Sequence, residues 1–367
     1  MLIIIQVNAQ IETDIEIATQ TGYENNIFKS PDSFIDEDTG ELLGKDGVQR
    51  SSFFQDIGIR GLFSKRWDNQ KLSLRLNPKG RFYFSDDEAS YFTIYSRLRY
   101  ENELSRNTKW LVTARYNYRD RDGENLDDSE LRTPLGYAHV ETTSTLHFRL
   151  YKQNRTLVEL KYANRDYKDG LTNNLSYNLI GIRTVFRNVF KRRAGYHSYG
   201  VEASFNKRHY KRVFFDGLEA TTKRDWSYID VEGFYRYPIT ENWQLRPSFQ
   251  YMTRVDNDAG RFTYTQVKPT IAVSYNAESF SMDVTASYTN RNYDQLRATN
   301  TNGDDLGLLK FKYYRLRVNA EKQIAHNLFI TANAYVNIRE SNRTNQNSLI
   351  FRGYDHFYVG FGLKINL

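Results

Sequence analysis

Apolar residues alternate strictly with polar or small residues along the last stretch of the chain, which runs from Phe357 to Leu367. The apolar positions are Phe357, Val359, Phe361, Leu363, Ile365 and Leu367. A period of two predicts a β-strand with one apolar face and one polar face. If this strand belongs to a larger sheet, the rest of the chain should repeat its pattern.

The same alternation recurs in fifteen earlier segments, of which Ile11–Thr19 is the first. The sequence therefore predicts an all-β chain that forms a single closed antiparallel transmembrane β-barrel of about sixteen strands. Pro78, Pro247 and Pro269 fall inside predicted strands, where a proline removes a ladder hydrogen bond. We expect bulges or strand ends there, so the predicted count carries a range of fourteen to eighteen.

The connections between these segments alternate in length. They are short after even-numbered strands, at residues 65–70, 151–154, 239–242, 276–279 and 322–327. They are mostly longer, and acidic or Asn-rich, after odd-numbered strands, at residues 24–50, 120–133, 211–223, 290–308 and 340–352. A soluble sandwich or propeller has no reason to sort loop length by parity, whereas short periplasmic turns and long extracellular loops are typical of outer-membrane barrels.

This architecture resembles that of bacterial outer-membrane β-barrel proteins of the porin-like kind. The barrel-closing strand of such proteins commonly ends on an aromatic residue, and Leu367 departs from that habit. The stretch from Tyr23 to Phe28, Tyr-Glu-Asn-Asn-Ile-Phe, resembles the start of β-barrel porins, some of them associated with polysaccharide export. The resemblance implies diffusion or export of polar solutes across the outer membrane, without catalysis or energy coupling.

Residues 1–9 resemble the end of a secretory signal peptide with cleavage after Ala9, so residues 10–367 are predicted to form the barrel. The apolar patch is short and has no basic start, so we expect the front of the signal to be missing. An ordinary first strand is the alternative.

Composition is compatible with a barrel that spans a membrane. The mean hydropathy is −0.69 and no apolar run approaches the length of a spanning helix, but only alternate residues of a barrel strand face lipid. The 28 Tyr and 23 Phe fit aromatic girdles at the two membrane interfaces. The chain has no cysteine, which excludes disulfides, thiolate metal sites and a lipoprotein anchor.

Basic residues collect on the face of the strands opposite the apolar one. An arginine on the lipid face at the bilayer midplane would cost about 2–4 kcal/mol, so these residues must face water or one another. About sixteen strands leave an aqueous channel, and a cationic lining favours anions. The alternative is that they pair with acids of the same face and leave little net field. The predicted pore-lining residues are Arg75, Lys79, Arg81, Arg97, Arg99, Arg115, Arg119, Arg149, Arg246, Arg254, Arg315 and Arg317.

The sequence offers few candidates for catalytic or metal-binding residues. His139 and His147 share a strand face but lie too far apart to bind one metal ion directly, and no motif marks a nucleophile or a cofactor. The acidic stretches Asp36–Gly40 and Asn302–Asp305 lack the spacing of an EF-hand. We therefore expect no enzyme activity, no cofactor, no metal site and no nucleic-acid partner.

Three functions remain open. The first is a passive porin-like channel of the bacterial outer membrane for small polar, preferentially anionic solutes, with outer-membrane lipid and lipopolysaccharide as its surroundings. The second is an exit channel for an acidic polysaccharide, in which the same arginines bind successive carboxylates. The third is a secreted soluble β-protein that binds carbohydrate through its tyrosines.

Overall fold

A computed structural model describes residues 11–36, 39–123, 133–134, 136–167, 176–192, 195–211, 214–215, 218–219, 224–258, 260–348 and 351–367. The predicted signal-peptide remnant, residues 1–9, lies outside the described residues and stays a prediction. The described residues contain no helix that is long and apolar enough to span a membrane.

Sixteen long strands form one closed antiparallel barrel, in which each strand pairs with its neighbours in the sequence and β1 also pairs with β16. The predicted fold class is therefore confirmed. The strands are β1 Ile11–Glu24, β2 Ser52–Trp67, β3 Gln70–Tyr83, β4 Tyr91–Ser105, β5 Thr108–Asp120, β6 Tyr137–Phe148, β7 Asn154–Tyr167, β8 Tyr177–Arg192, β9 Gly195–Tyr210, β10 Asp225–Pro238, β11 Trp243–Asp256, β12 Tyr264–Asn276, β13 Phe280–Thr299, β14 Asp305–Ala325, β15 Leu328–Ser341 and β16 Tyr354–Asn366.

The connections alternate in length as predicted. Those after even-numbered strands are short, with only residues 68–69 between β2 and β3 and residues 326–327 between β14 and β15. We call their side of the barrel the short-turn end and the other side the long-loop end. The connections at the long-loop end include the first long loop, residues 25–51.

One predicted long loop is wrong. Residues 290–308 are mostly strand, because β13 continues to Thr299 and β14 begins at Asp305. The physical reason is burial, since Leu296, Ala298 and Leu309 pack into one apolar cluster with Tyr293. The segment is Asn-rich and contains only a few apolar residues, so its composition predicts a loop.

Small elements lie within the loops. The first long loop holds a helix, Lys45–Val48, and a pair of two-residue strands, Phe34–Ile35 and Leu42–Leu43. The loop after β3 holds a 3-10 turn, Asp87–Ala89. Two further short hairpins pair Asp122–Gly123 with Thr133–Pro134 and Phe214–Phe215 with Leu218–Glu219.

The three prolines lie within strands. At each of them, two consecutive residue pairs are missing from the pairing with one neighbouring strand, and the register is the same on both sides of the gap. The pairing of β2 with β3 is interrupted at Pro78, that of β10 with β11 at Pro247, and that of β12 with β13 at Pro269. The missing proline N–H is thus accommodated by a local gap in pairing, and the expected bulges and strand ends are not present there.

The alternation of side chains gives the wall two faces of opposite character. The apolar face leaves large hydrophobic side chains exposed, among them Ile57 at 50%, Leu98 at 46% and Ile182 at 42%. The charged face carries Arg75, Arg97 and the other basic residues singled out above, except Arg149. Buried apolar clusters lie on the charged face near the long-loop end, where loop residues such as Ile27 pack on wall residues such as Phe54. An exposed apolar belt of this kind is a surface suited to hydrocarbon.

We predict that Ile182→Arg, near the middle of β8 on the apolar face, lowers the free energy of unfolding in phospholipid vesicles by about 2–4 kcal/mol, because the guanidinium would meet hydrocarbon. The matched control is Val185→Arg on the charged face of the same strand, opposite Glu202. Urea titration followed by tryptophan fluorescence measures both variants. Equal losses of stability would contradict the assignment of the faces.

Candidate functional site

A row of arginines crosses three adjacent strands of the charged face. Arg75 of β3 lies directly opposite Arg97 of β4, which lies opposite Arg115 of β5. Like charges in directly opposed positions of a sheet are destabilising. Arg115 is neutralised by an ion pair with Glu141 of β6. Neither Arg75 nor Arg97 forms an ion pair with any carboxylate of the described residues, and Arg75 Nε is buried without a hydrogen-bond partner in that part of the chain.

Other predicted residues do pair with acids. The predicted alternative, a structural network of arginines and carboxylates, describes this part of the charged face. Three of its contacts are Lys79 Nζ–Asp56 Oδ2 at 2.8 Å, Arg99 Nη2–Glu101 Oε1 at 2.8 Å and Arg246 Nη2–Glu232 Oε1 at 3.0 Å.

The most buried of these pairs forms a network at the long-loop end of the barrel. Arg81 donates to Glu24 Oε2 at 2.6 Å and, through two nitrogens, to the Asp56 carboxylate at 2.7 and 2.8 Å. Tyr83 donates its hydroxyl to Glu24 Oε2 at 2.7 Å. His356 Nε2 lies 2.8 Å from Glu24 Oε1, and it carries the proton because a carboxylate only accepts. The network joins β1, β2, β3 and β16 across the closure of the barrel.

A second arrangement places arginines between aromatic rings. Each odd-numbered strand from β3 to β15 carries one arginine on the charged face near the long-loop end, stacked over an aromatic ring of an even-numbered neighbour. We call this set the arginine–aromatic ring. Its closest cation–π distances, guanidinium carbon to ring centroid, are Arg81–Phe54 3.9 Å, Arg119–Tyr91 4.9 Å, Arg165–Tyr137 4.4 Å, Arg208–Tyr177 4.2 Å, Arg254–Trp226 4.0 Å, Arg291–Tyr264 4.3 Å and Arg339–Tyr354 4.4 Å.

The level of this ring is regular. Arg165, Arg208 and Arg254 each lie two residues before the end of their strand, and Arg119 lies one residue before the end of β5. Apart from Arg81, the arginines of this ring form no ion pair with a carboxylate of the described residues. A cation–π contact stabilises a guanidinium by about 0.5–2 kcal/mol but leaves its charge intact. The members of the ring other than Arg81 therefore have no carboxylate of the described residues to cancel their positive charge.

Four members of the ring were not among the predicted residues, although the sequence carries a signal for them. The missed residues are Arg165, Arg208, Arg291 and Arg339. Three of them, like Arg81, stand in an Arg-x-Tyr triplet. The triplets are Arg81-Phe82-Tyr83, Arg165-Asp166-Tyr167, Arg208-His209-Tyr210 and Arg291-Asn292-Tyr293.

The remaining predicted residues differ in their placement. Arg315 donates to Asn337 Oδ1 at 3.0 Å and stacks on Tyr313. Arg317 is exposed and lies over Tyr335. Arg149 is not on a strand, because β6 ends at Phe148, and it lies exposed in the short turn that follows.

The first long loop is bound to the end of β16. Asn25 N donates to Phe357 O at 3.0 Å, and the Asn26 side chain donates to Asp355 O at 2.7 Å. Lys45 Nζ lies 3.2 Å from Asp355 Oδ2. Asn26 also holds the turn that follows it, because its Oδ1 accepts from Ser30 N at 2.7 Å. The loop therefore has a fixed position at the barrel mouth.

This turn carries Lys29 in the left-handed region, at φ 64°. Its side chain is exposed to solvent, yet the surrounding protein lowers the pKa of Lys29, and the positive charge of Arg121 lowers the pKa further. Glu24 opposes that shift, whereas Arg119 and Arg315 add to it. The first long loop thus brings a lysine into the same electrostatic neighbourhood as arginines of β5 and β14.

The histidines give no sign of a metal centre. His139 and His147 share the charged face of β6, eight residues apart in sequence and on different levels of the ladder. Among the residues that the structure describes, no group of three or more His, Cys, Asp or Glu side chains is arranged to hold a metal ion.

A closed sixteen-strand barrel with an apolar belt, short turns at one end and long loops at the other defines a porin-like β-barrel protein of the bacterial outer membrane. Sequence comparison agrees, because the model of the carbohydrate-selective porin OprB family matches residues 195–278, from the start of β9 to the turn before β13. The matched segment lies within the barrel and supports the same class. No curated protein sequence matches the chain.

Several solved structures are similar in fold. A bacterial polysaccharide outer membrane secretin has 12% identity and a TM-score of 0.49, with 97% of this chain and 98% of that chain covered. OccAB3 of Acinetobacter baumannii has 10% identity and a TM-score of 0.49, with 97% and 100% covered. A loop-deletion mutant of OmpT of Vibrio cholerae has 10% identity and a TM-score of 0.45, with 98% and 99% covered. Identities of this size carry no information about the solute.

We predict that Arg81→Ala lowers the free energy of unfolding by about 3–5 kcal/mol, because it leaves the buried carboxylates of Glu24 and Asp56 without their main partner. Arg317→Ala is the control, since Arg317 is exposed, and its effect should stay within about 0.5 kcal/mol. Urea unfolding in lipid vesicles measures both. A loss at Arg81 no larger than that at Arg317 would contradict a structural role for the network.

Proposed function

We propose that this porin channel passes small polar solutes by diffusion and prefers anions, with the charged face lining the lumen. The observation that carries the proposal is the row of Arg75 and Arg97, two guanidinium groups in directly opposed positions with no carboxylate partner among the described residues. Such a pair is unfavourable by itself and becomes favourable when an anion lies beside it.

Two observations support the charged face as the inner one. The positive charges of Arg119 of β5 and Arg315 of β14 both lower the pKa of Lys29. These two strands are seven places apart in the ring of sixteen. One loop residue approaches two such distant strands most directly through the interior of the barrel. The second observation is that, among the described residues, the apolar face carries no charged residue in its middle. This face can therefore contact hydrocarbon without the cost of about 2–4 kcal/mol that each basic residue would add there.

The balance of charges on the inner face determines the preference. Carboxylates cancel Lys79, Arg81, Arg99, Arg115 and Arg246. The arginine–aromatic ring keeps its charge, apart from Arg81, and so do Arg75, Arg97 and Arg317. The sum is an excess of positive charge along the path, which raises the local concentration of anions and lowers that of cations.

Sugars are a second candidate class of solute. Tyrosine and tryptophan rings interleave with the arginines of the ring, and flat aromatic surfaces with charged donors suit a polyhydroxylated solute that bears an anionic group. The segment that matches the carbohydrate-selective porin model, residues 195–278, contains Arg208, Trp226, Arg254 and Tyr264 of this arrangement.

We predict that Arg75→Glu/Arg97→Glu lowers the anion-to-cation permeability ratio several-fold, because two uncompensated positive charges become negative. The reversal potential across a planar bilayer in a gradient of dilute KCl measures the ratio, since low ionic strength limits screening. The matched control is Lys65→Glu/Lys310→Glu, which makes the same change of charge on the apolar face. A wild-type channel that prefers cations, or a control shift as large as that of the double variant, would contradict the proposal.

Lys29→Glu should also reduce anion preference, because the positive charges of Arg119, Arg121 and Arg315 act on the Lys29 ammonium group and Lys29 adds to them. Lys152→Glu, in the exposed short turn between β6 and β7, makes the same change of charge away from the long-loop end. The same reversal-potential measurement compares them. If the two variants shift the ratio equally, the first long loop does not contribute to selection.

A further inference from the structure

A third group of arginines lies on the charged face near the short-turn end, away from the arginine–aromatic ring. Arg155 is the second residue of β7 and lies directly opposite Arg187 of β8. Arg236 lies two residues before the end of β10, and β9 is the only strand between it and β8. We call Arg155, Arg187 and Arg236 the lower basic cluster.

The lower basic cluster is not neutralised by the wall. None of its three guanidinium groups forms an ion pair with a carboxylate of the described residues, and Arg187 Nε is buried without a hydrogen-bond partner there. Arg187 is repelled by the positive charges of three other arginines, Arg236, Arg155 and Arg246. The neighbouring Arg246 has its acid, Glu232 at 3.0 Å. The wall thus supplies a carboxylate to one arginine and leaves the three beside it without one.

A glycine and an aromatic ring shape the space among these arginines. Gly200 of β9 lies opposite both Arg187 and Phe234. A Cβ at Gly200 would stand 2.4 Å from the backbone oxygen of Phe186 and 2.8 Å from Phe234 Cζ, so no larger residue fits. The Phe234 ring lies close against the wall as a result, with the Arg246 guanidinium 4.9 Å from its centroid. Phe234 therefore forms an apolar floor beside the Arg246 guanidinium, two strands away from Arg187.

We propose that the lower basic cluster is a binding site for the oxyanion group of a solute, a carboxylate, phosphate or sulfate, and that a sugar ring attached to this group stacks on Phe234. Three guanidinium groups on neighbouring strands of one face can supply bidentate donors to such a group. An aromatic floor suits the apolar face of a pyranose. The site rests on the proposed function, because the solute reaches it through the lumen. It adds a place where the anion pauses near the short-turn mouth, and sequential sites of moderate affinity are what conduction requires.

The test measures transient block of single-channel current by glucuronate, by glucose and by inorganic phosphate, each added on the short-turn side. Arg187→Gln/Arg236→Gln should raise the apparent Kd for glucuronate and for phosphate by about tenfold or more. Phe234→Ala should weaken the binding of glucuronate but leave the apparent Kd for phosphate unchanged. This difference separates the contact with the sugar from the contact with the anion. Glucose should bind wild type more weakly than glucuronate does.

The matched control is Arg66→Gln/Arg106→Gln, which removes two positive charges at the same end of the barrel but on β2 and in the turn after β4. Each variant is first checked for a folded barrel by its faster migration in unheated gels. The proposed binding site is contradicted if the two double variants weaken glucuronate binding equally. It is also contradicted if Arg187→Gln/Arg236→Gln leaves both Kd values unchanged while the wild-type channel still prefers anions. A wild-type channel that prefers cations overturns the proposed function instead.

Discussion

Backbone hydrogen bonding is the constraint on which the rest of the structure depends, because a strand in hydrocarbon finds no water for its N–H and C=O groups. The pairing of β1 with both β2 and β16 leaves no free sheet edge. Once the wall is closed, every second side chain points to one face and the remainder to the other. A slip of one residue would exchange the two faces, so the register and the placement of charge are determined together.

The arginines of the charged face occupy three kinds of surroundings. Some, such as Arg246, have a carboxylate within hydrogen-bonding distance and contribute little field. Others, such as Arg254, lie between aromatic rings and keep their charge while losing contact with water. A few, such as Arg75 and Arg187, have only other arginines as charged neighbours on an adjacent strand. The net charge of +7 does not distinguish these cases, because the outcome depends on which residue stands opposite in the ladder.

The strands and the parity of the loops follow from the sequence, because alternation and loop length are properties of the chain itself. The extension of β13 and β14 was missed because Leu296, Ala298 and Leu309 acquire apolar neighbours only when the loops pack. The sequence also placed eleven of the twelve predicted residues on the charged face, and the exception is Arg149, which lies in a turn. It did not show which of the eleven have an acid partner, since that depends on cross-strand register. Arg165, Arg208 and Arg291 were visible as a repeated triplet, whereas the docking of the first long loop on Asp355 has no local signal at all.

This docking joins residues near the two ends of the sequence. Asn26 and Asp355 are 329 positions apart, and Asn25 N of the same loop donates a backbone hydrogen bond to Phe357 O. These partners stand in place only after β16 has met β1. Closure of the wall and anchoring of the first long loop therefore depend on the same strand, β16.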